Sequence, residues 1–360
     1  LPVELWLEIF RWATLSQHSH YLHTSRYEPF EVPTPTSREE ADPHLARELS
    51  VKARLALVCK TWRTLTLSLL YEDLNVALGT SRGLRHTLSC SEDTLRYFVR
   101  RVSIPYSSSI TPDFKASAVS EVTDILRNSP LLETLERPPP RPTEMLSYEF
   151  PAPDLPPLPT LKRLDFWHHN EASRSGGINS LPDVLRATPN LQYLTVGGSI
   201  WVSFLSRPET IELPQLTTLR IRRMNALFSN FICKWHMPSL RTLIYDTAVA
   251  LDALQDKFGT QIKTVELGMD LKFATTDTIH RILHCCPNLE ELYYYPLFTI
   301  TPEPLGEPHQ SLRVIGLHSQ PPGFWPPGTD EYWLNMRDHI LSYTAEAFPA
   351  LTKLMLYGDW

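Results

Sequence analysis

Glycine is scarce here: 13 residues in 360, against 32 prolines. None of the glycine-dependent signatures G-x-x-x-x-G-K-[ST], G-x-G-x-x-G or G-x-S-x-G is present, which argues against a phosphate-cradling loop, a dinucleotide fold and a nucleophile elbow. Gly176-Gly177 lies in a Ser/Arg/Gly stretch and reads as a turn. Cysteine is also sparse. The five residues Cys59, Cys90, Cys233, Cys285 and Cys286 are odd in number and contain no C-x-x-C pair. A disulfide framework and a finger-type zinc site are therefore not expected, and a reducing compartment, cytoplasm or nucleus, is. No apolar run approaches the ~18 residues of a membrane span. Basic excess is lacking as well, since the formal net charge is −6. Clusters such as Arg220, Arg222 and Arg223 are short, so no nucleic-acid partner is expected.

Candidate chemistry is equally thin. His280 and His284 stand at i, i+4 on a predicted helix beside Cys285 and Cys286, a spacing that could hold a metal. Ile279, Ile282 and Leu283 explain the same helix as packing. His18, His20 and His23 fall in a polar loop, and His168-His169 are consecutive strand residues that point to opposite faces. No catalytic residue, metal or cofactor is expected, and the chain does not read as an enzyme.

What is present is organised. Leu1-Pro2-Val3-Glu4-Leu5-Trp6-Leu7-Glu8-Ile9-Phe10 predicts a helix start, because proline suits the first turn and Glu4 complements the helix dipole. Leu1, Leu5 and Ile9 form one apolar row and Trp6 and Phe10 the next. Residues 15–48 carry histidines, prolines and charges without a period, and read as a disordered insertion. Helical spacing resumes near Leu49 and runs through Leu55, Val58, Cys59, Trp62, Leu65 and Leu69. Two short apolar helical pieces cannot bury each other fully. They either dock on a partner or pack on the rest of the chain.

A second pattern fills the remainder. The phrase Pro-x-Leu-x-x-Leu-x-apolar recurs at Pro159–Phe166, Pro189–Val196, Pro214–Ile221, Pro238–Tyr245, Pro287–Tyr294 and Pro349–Leu356. Weaker copies are Ile262-x-x-Val265-x-Leu267, Leu312-x-x-Ile315-x-Leu317 and Leu132-x-x-Leu135. The last two apolar positions share one strand face, and the proline stops the upstream helix. Helically spaced segments lie between the phrases, so units of about 25 residues stack parallel strands with helices outside. The expected fold class is α/β.

The opening residues and Leu57-Val58-Cys59-Lys60-x-Trp62-Arg63-x-Leu65 together resemble an F-box. The repeats resemble irregular leucine-rich repeats of the kind that follow F-boxes. The resemblance implies an all-helical F-box module over 1–75 and a leucine-rich-repeat-like solenoid over 76–360, with a parallel sheet on its concave side and helices on its convex side. It also implies a non-catalytic adaptor that docks on the Skp subunit of an SCF-type ubiquitin ligase and recruits a protein substrate. By motif position, Pro2, Leu5, Ile9, Val58, Cys59, Trp62 and Leu65 would line or support the Skp contact, with Cys59 as a small buried hydrophobe. The alternative is a repeat scaffold whose first helices only cap the solenoid.

Strand alternation assigns the outward row Asp165, Thr195, Arg220, Ile244, Glu266, Tyr293, Gly316 and Met355. The next row is Trp167, Gly197, Arg222, Asp246, Gly268, Tyr295, His318 and Tyr357. Aromatics and arginine dominate interface hot spots, so Trp167, Arg220, Arg222, Tyr293 and Tyr295 are the expected substrate contacts.

Overall fold

The computed structural model describes residues 2–14, 26–31, 38–76, 81–90, 94–104, 106, 112–139, 152, 154–200, 210–248, 251–319 and 330–358. His18, His20 and His23 lie outside them. The chain divides into two compact units. One comprises Leu1–Arg26, Val32–Leu194 and Ile211–Pro214; the other comprises Tyr27–Glu31, Thr195–Thr210 and Gln215–Trp360.

In the first unit the elements run α1 (Val3–Thr14), α2 (Arg38–Ala56), α3 (Lys60–Glu72), β1 (Asp73–Asn75), α4 (Ser81–Cys90), β2 (Arg101–Ser103), α5 (Pro112–Arg127), β3 (Thr134–Arg137), β4 (Arg163–His168), α6 (Asn170–Ser173) and α7 (Leu181–Arg186). Helix α1 packs on α2 and α3. β1, β2, β3 and β4 pair in chain order, all parallel, with Leu74, Val102, Leu135 and Leu164 in one register line. These four leucine and valine side chains are buried. Ser180 and Asp183 show how the α7 start is fixed: the Ser180 hydroxyl accepts from the Asp183 N–H, and proline occupies the first turn.

Strand β5 (Tyr193–Gly198) crosses the division in sequence. The second unit continues with β6 (Thr218–Met224), α8 (Ala226–Ile232), β7 (Thr242–Tyr245), α9 (Leu251–Phe258), β8 (Thr264–Leu267), α10 (Thr278–Cys285), β9 (Glu291–Tyr294), β10 (Val314–His318), α11 (Asp330–Leu341) and β11 (Lys353–Tyr357). Strands β6 to β11 pair in chain order and in parallel. Side-chain caps start α8, directly after β6, and α10. Asn225 accepts from the Phe228 N–H at 3.1 Å and Asp277 from the His280 N–H at 2.9 Å. Leu219, Leu243, Val265, Leu292 and Ile315 form the inward row, each without exposed surface.

The α/β class and the parallel sheet are as expected, and every Pro-x-Leu phrase lands on a strand. The outward row is also in register: Arg220, Ile244, Glu266, Tyr293, Gly316 and Met355 are successive partners. Three boundaries differ from expectation. Helix α2 begins at Arg38, inside the segment expected to be disordered, and Tyr27–Glu31 belongs to the second unit. Residues 15–25 and 32–37 lie outside the described residues. The sheet also begins within 1–75, because β1 follows α3 without a break and the Arg100 N–H donates to the Glu72 carbonyl at 2.9 Å. Among the described residues no helix is long and apolar enough to cross a membrane.

Candidate functional site

Two surfaces carry the candidate residues, one in each unit. In the first, α1 presents Val3, Leu5, Ile9 and Trp12 to solvent, at 45–77% exposure. Leu57 and Val58, between α2 and α3, are 84% and 60% exposed. These large apolar side chains lie on α1 and in the turn between α2 and α3. Pro2 is exposed and Leu65 half-buried. Of the expected contact residues, then, Leu5, Ile9 and Val58 face outward. Val3, Trp12 and Leu57 join them, although none of the three was among the expected contacts.

Two expected members do something else. Trp62 turns inward, with its ring 5.0 Å from Trp6 and 4.7 Å from the fully buried Phe10. It supports the face from behind. Cys59 is exposed and not a buried hydrophobe. It takes an extended backbone, φ −160° and ψ 170°, as the N-cap of α3, where its Sγ accepts from the Trp62 N–H at 3.4 Å. Sulfur is a weak acceptor, which is why the capping role was not legible from residue preferences.

Also in the first unit, Trp167 is half-buried at the end of β4, and its carbonyl accepts from the Tyr106 hydroxyl. The Arg137 guanidinium lies 4.1 Å from the centre of the Tyr106 ring. Beside Trp167, burial holds His168 down to about 4.

The second surface lies on the outward row of β6 to β10. Arg220, Arg222 and Tyr293 were expected to be exposed, but they are 4%, 7% and 4% exposed. Part of the reason is the segment Tyr27-Glu28-Pro29-Phe30-Glu31. The Tyr27 hydroxyl and the Phe30 N–H both donate to Glu266 Oε2, at 2.8 and 2.9 Å. Arg220 Nη1 donates to the Glu31 carbonyl at 3.0 Å. The Phe30 ring sits among Tyr293, Tyr295, His318 and Tyr357, with centroid distances of 5.9, 5.1, 4.8 and 5.0 Å. Edge-on and tilted contacts at these separations suit the ring quadrupole.

Charge on this surface is tightly held. Arg220 forks onto Asp246, Nε to Oδ2 and Nη2 to Oδ1, both at 2.9 Å. Arg222 approaches the same carboxylate at 3.7 Å. Burial pushes Glu266 up to about 7, against the opposing pull of Arg220 and the donors Phe30 and Tyr27. Gly316 leaves the space that the Tyr293 ring occupies, since a Cβ there would fall inside van der Waals contact with ring carbons. Gly316→Ala should therefore displace Tyr293 and cost about 1–3 kcal/mol. A fall in the urea midpoint with unchanged slope checks this.

Among the described residues no group of three or more His, Cys, Asp or Glu side chains is placed to hold a metal ion. His280 is half-buried and His284 exposed on α10, whose buried side chains are Thr278, Ile279, Ile282 and Leu283. No family model matches the chain. No curated protein matches it either.

Proposed function

We propose that the chain is a non-catalytic adaptor whose F-box-like helices dock on the Skp subunit of an SCF-type ubiquitin ligase and whose leucine-rich-repeat-like surface recruits a protein substrate. The observation that carries this reading is the exposed apolar set Leu5, Ile9 and Val58 at the motif positions, on α1 and in the turn between α2 and α3, three helices that pack together. Leaving such side chains in water has no folding benefit, and covering them on a partner recovers their hydrophobic transfer energy. The parallel strands β6 to β11 of the other unit supply a second surface.

A pull-down with purified Skp tests it. The intact chain should bind, and Leu5→Asp, Ile9→Asp or Val58→Asp should each weaken binding by about 2 kcal/mol or more, roughly thirtyfold. Because these positions are exposed, Tm should not move. Trp62→Ala is a poorer probe, since it empties the packing against Trp6 and Phe10. No binding by the intact, folded chain would refute the reading.

A second reading has a specific observation behind it. Helix α3 runs straight into β1, and Glu72 bonds to Arg100 ahead of β2. That is how an N-terminal cap on a repeat sheet would be built. The cap reading predicts that the three aspartate variants leave every interaction of the chain unchanged.

A further inference from the structure

The surface holding Tyr27–Glu31 is built in a way that ordinary core packing does not require. Two of its contacts go to main-chain groups, the Phe30 N–H and the Glu31 carbonyl, and they are met by the ionisable side chains Glu266 and Arg220. Those side chains belong to residues only 3% and 4% exposed. A third contact reads a hydroxyl, that of Tyr27. A fourth is a ring socket of Tyr293, Tyr295, His318 and Tyr357 around Phe30. Main-chain capture plus one side-chain socket is how short peptide segments are recognised.

The backbone of the segment is also strained at Phe30. Pro29 and Phe30 form the corner of a turn closed by the Glu31 N–H on the Glu28 carbonyl at 3.3 Å. Phe30 has φ +58°, in the left-handed region, where such turns normally place glycine. A bulky side chain persists there only when its surroundings hold it. Here the ring socket does so.

We infer that this face is a binding site for a short aromatic peptide segment, and that Tyr27–Glu31 occupies it as an internal ligand. The partner segment would present a tyrosine and, three residues on, a phenylalanine in a proline turn, with the next carbonyl free to accept from Arg220. It would compete with the chain's own copy. Use of the site for substrate recruitment rests on the adaptor reading, but binding itself does not, and the test below contains no Skp.

The test is fluorescence polarisation with a labelled, end-capped Tyr-Glu-Pro-Phe-Glu peptide. Phe30→Gly keeps the turn and removes the ring, which vacates the socket. This variant should fold and bind the peptide at least tenfold more tightly than the unaltered chain does. A Tyr-Glu-Pro-Ala-Glu peptide should bind the variant at least tenfold more weakly. Equal binding to both chains, no binding to the folded variant, or no loss with the alanine peptide would each overturn the proposal. So would failure of Phe30→Gly to fold, because the segment would then be core. Hydrogen exchange on the unaltered chain gives an independent reading. The Phe30 amide should exchange at least a hundredfold faster than the Tyr294 amide of β9, as a ligand-like strap opens locally. Equal protection of the two would place the segment in the core and end the proposal.

Discussion

Arg101→Met is expected to destabilise the first unit by about 3–5 kcal/mol, a fall of roughly ten degrees in Tm. Arg101 stands on β2 between Asp73 of β1 at 2.9 Å and Glu136 of β3 at 2.5 Å. All three are less than a tenth exposed. Burial pushes Glu136 up, and Arg101 pulls it back down. Methionine fills a similar volume but leaves two carboxylates in a dry site without their cation. Most of the cost is that of the orphaned anions and little of it is the lost pair itself. Two consequences make this checkable. The variant should recover stability as pH falls and the carboxylates take up protons. The triple replacement Arg101→Met, Asp73→Asn, Glu136→Gln should recover most of the loss at neutral pH. Urea unfolding at pH 5 and pH 7.5 measures both, and a single variant equally stable at both pH values would contradict the argued cause.

The second large effect is a pair of opposed pH dependences in the other unit. Burial holds His339 down to about 4; the ring is fully buried and bonds through Nδ1 to the Tyr294 hydroxyl at 3.1 Å. Its ordinary value is 6.5, so folding favours the neutral ring. That stability is complete above 6.5 and is lost as pH falls toward 4, about 3 kcal/mol in all. Glu266 runs the other way. Its value rises from 4.5 to about 7, so folding favours the protonated acid. Its contribution is complete below 4.5 and is lost as pH rises through 7, again about 3 kcal/mol. Between pH 4.5 and 6.5 the two slopes offset each other in the unaltered chain. Single variants should separate them. Relative to the unaltered chain, Glu266→Gln should gain about 3 kcal/mol between pH 4.5 and 8. The penalty of His339→Gln should shrink by a similar amount between pH 7 and 4. Parallel stability curves for either variant and the unaltered chain would show that the group does not titrate as argued.

Most of the sheet was legible because its strands announce themselves locally. A proline stops the helix and two leucines at the right interval fill the inward row, as at Leu289 and Leu292. β1 and β2 carried no such phrase. Each is three residues with one inward apolar side chain, Leu74 or Val102, between a charged residue and an uncharged polar one. Their charged residues read as loop until Arg101 is seen between its two carboxylates. Alternation also ordered the outward row correctly, yet it gave the wrong exposure for Arg220, Arg222 and Tyr293. Alternation fixes which face a side chain leaves from and is silent on what comes to cover it. The covering segment has no period, and its bond to Glu266 spans 236 positions of sequence. The exposed face of α1 was half legible: Leu5 and Ile9 follow from the motif, but Trp12 is indistinguishable in sequence from a core residue.

That span has a consequence in time. Within each unit the strands pair in chain order, so the sheet there can grow as the chain emerges. Phe30 cannot bond to Glu266 until 236 further residues have been made. At ordinary rates of synthesis that is roughly ten to fifty seconds. During this interval Tyr27–Glu31 exists without its site, and the site, once formed, exists briefly without its strap. A nascent chain thus passes through a window in which the ring socket is open to any segment of the same chemistry.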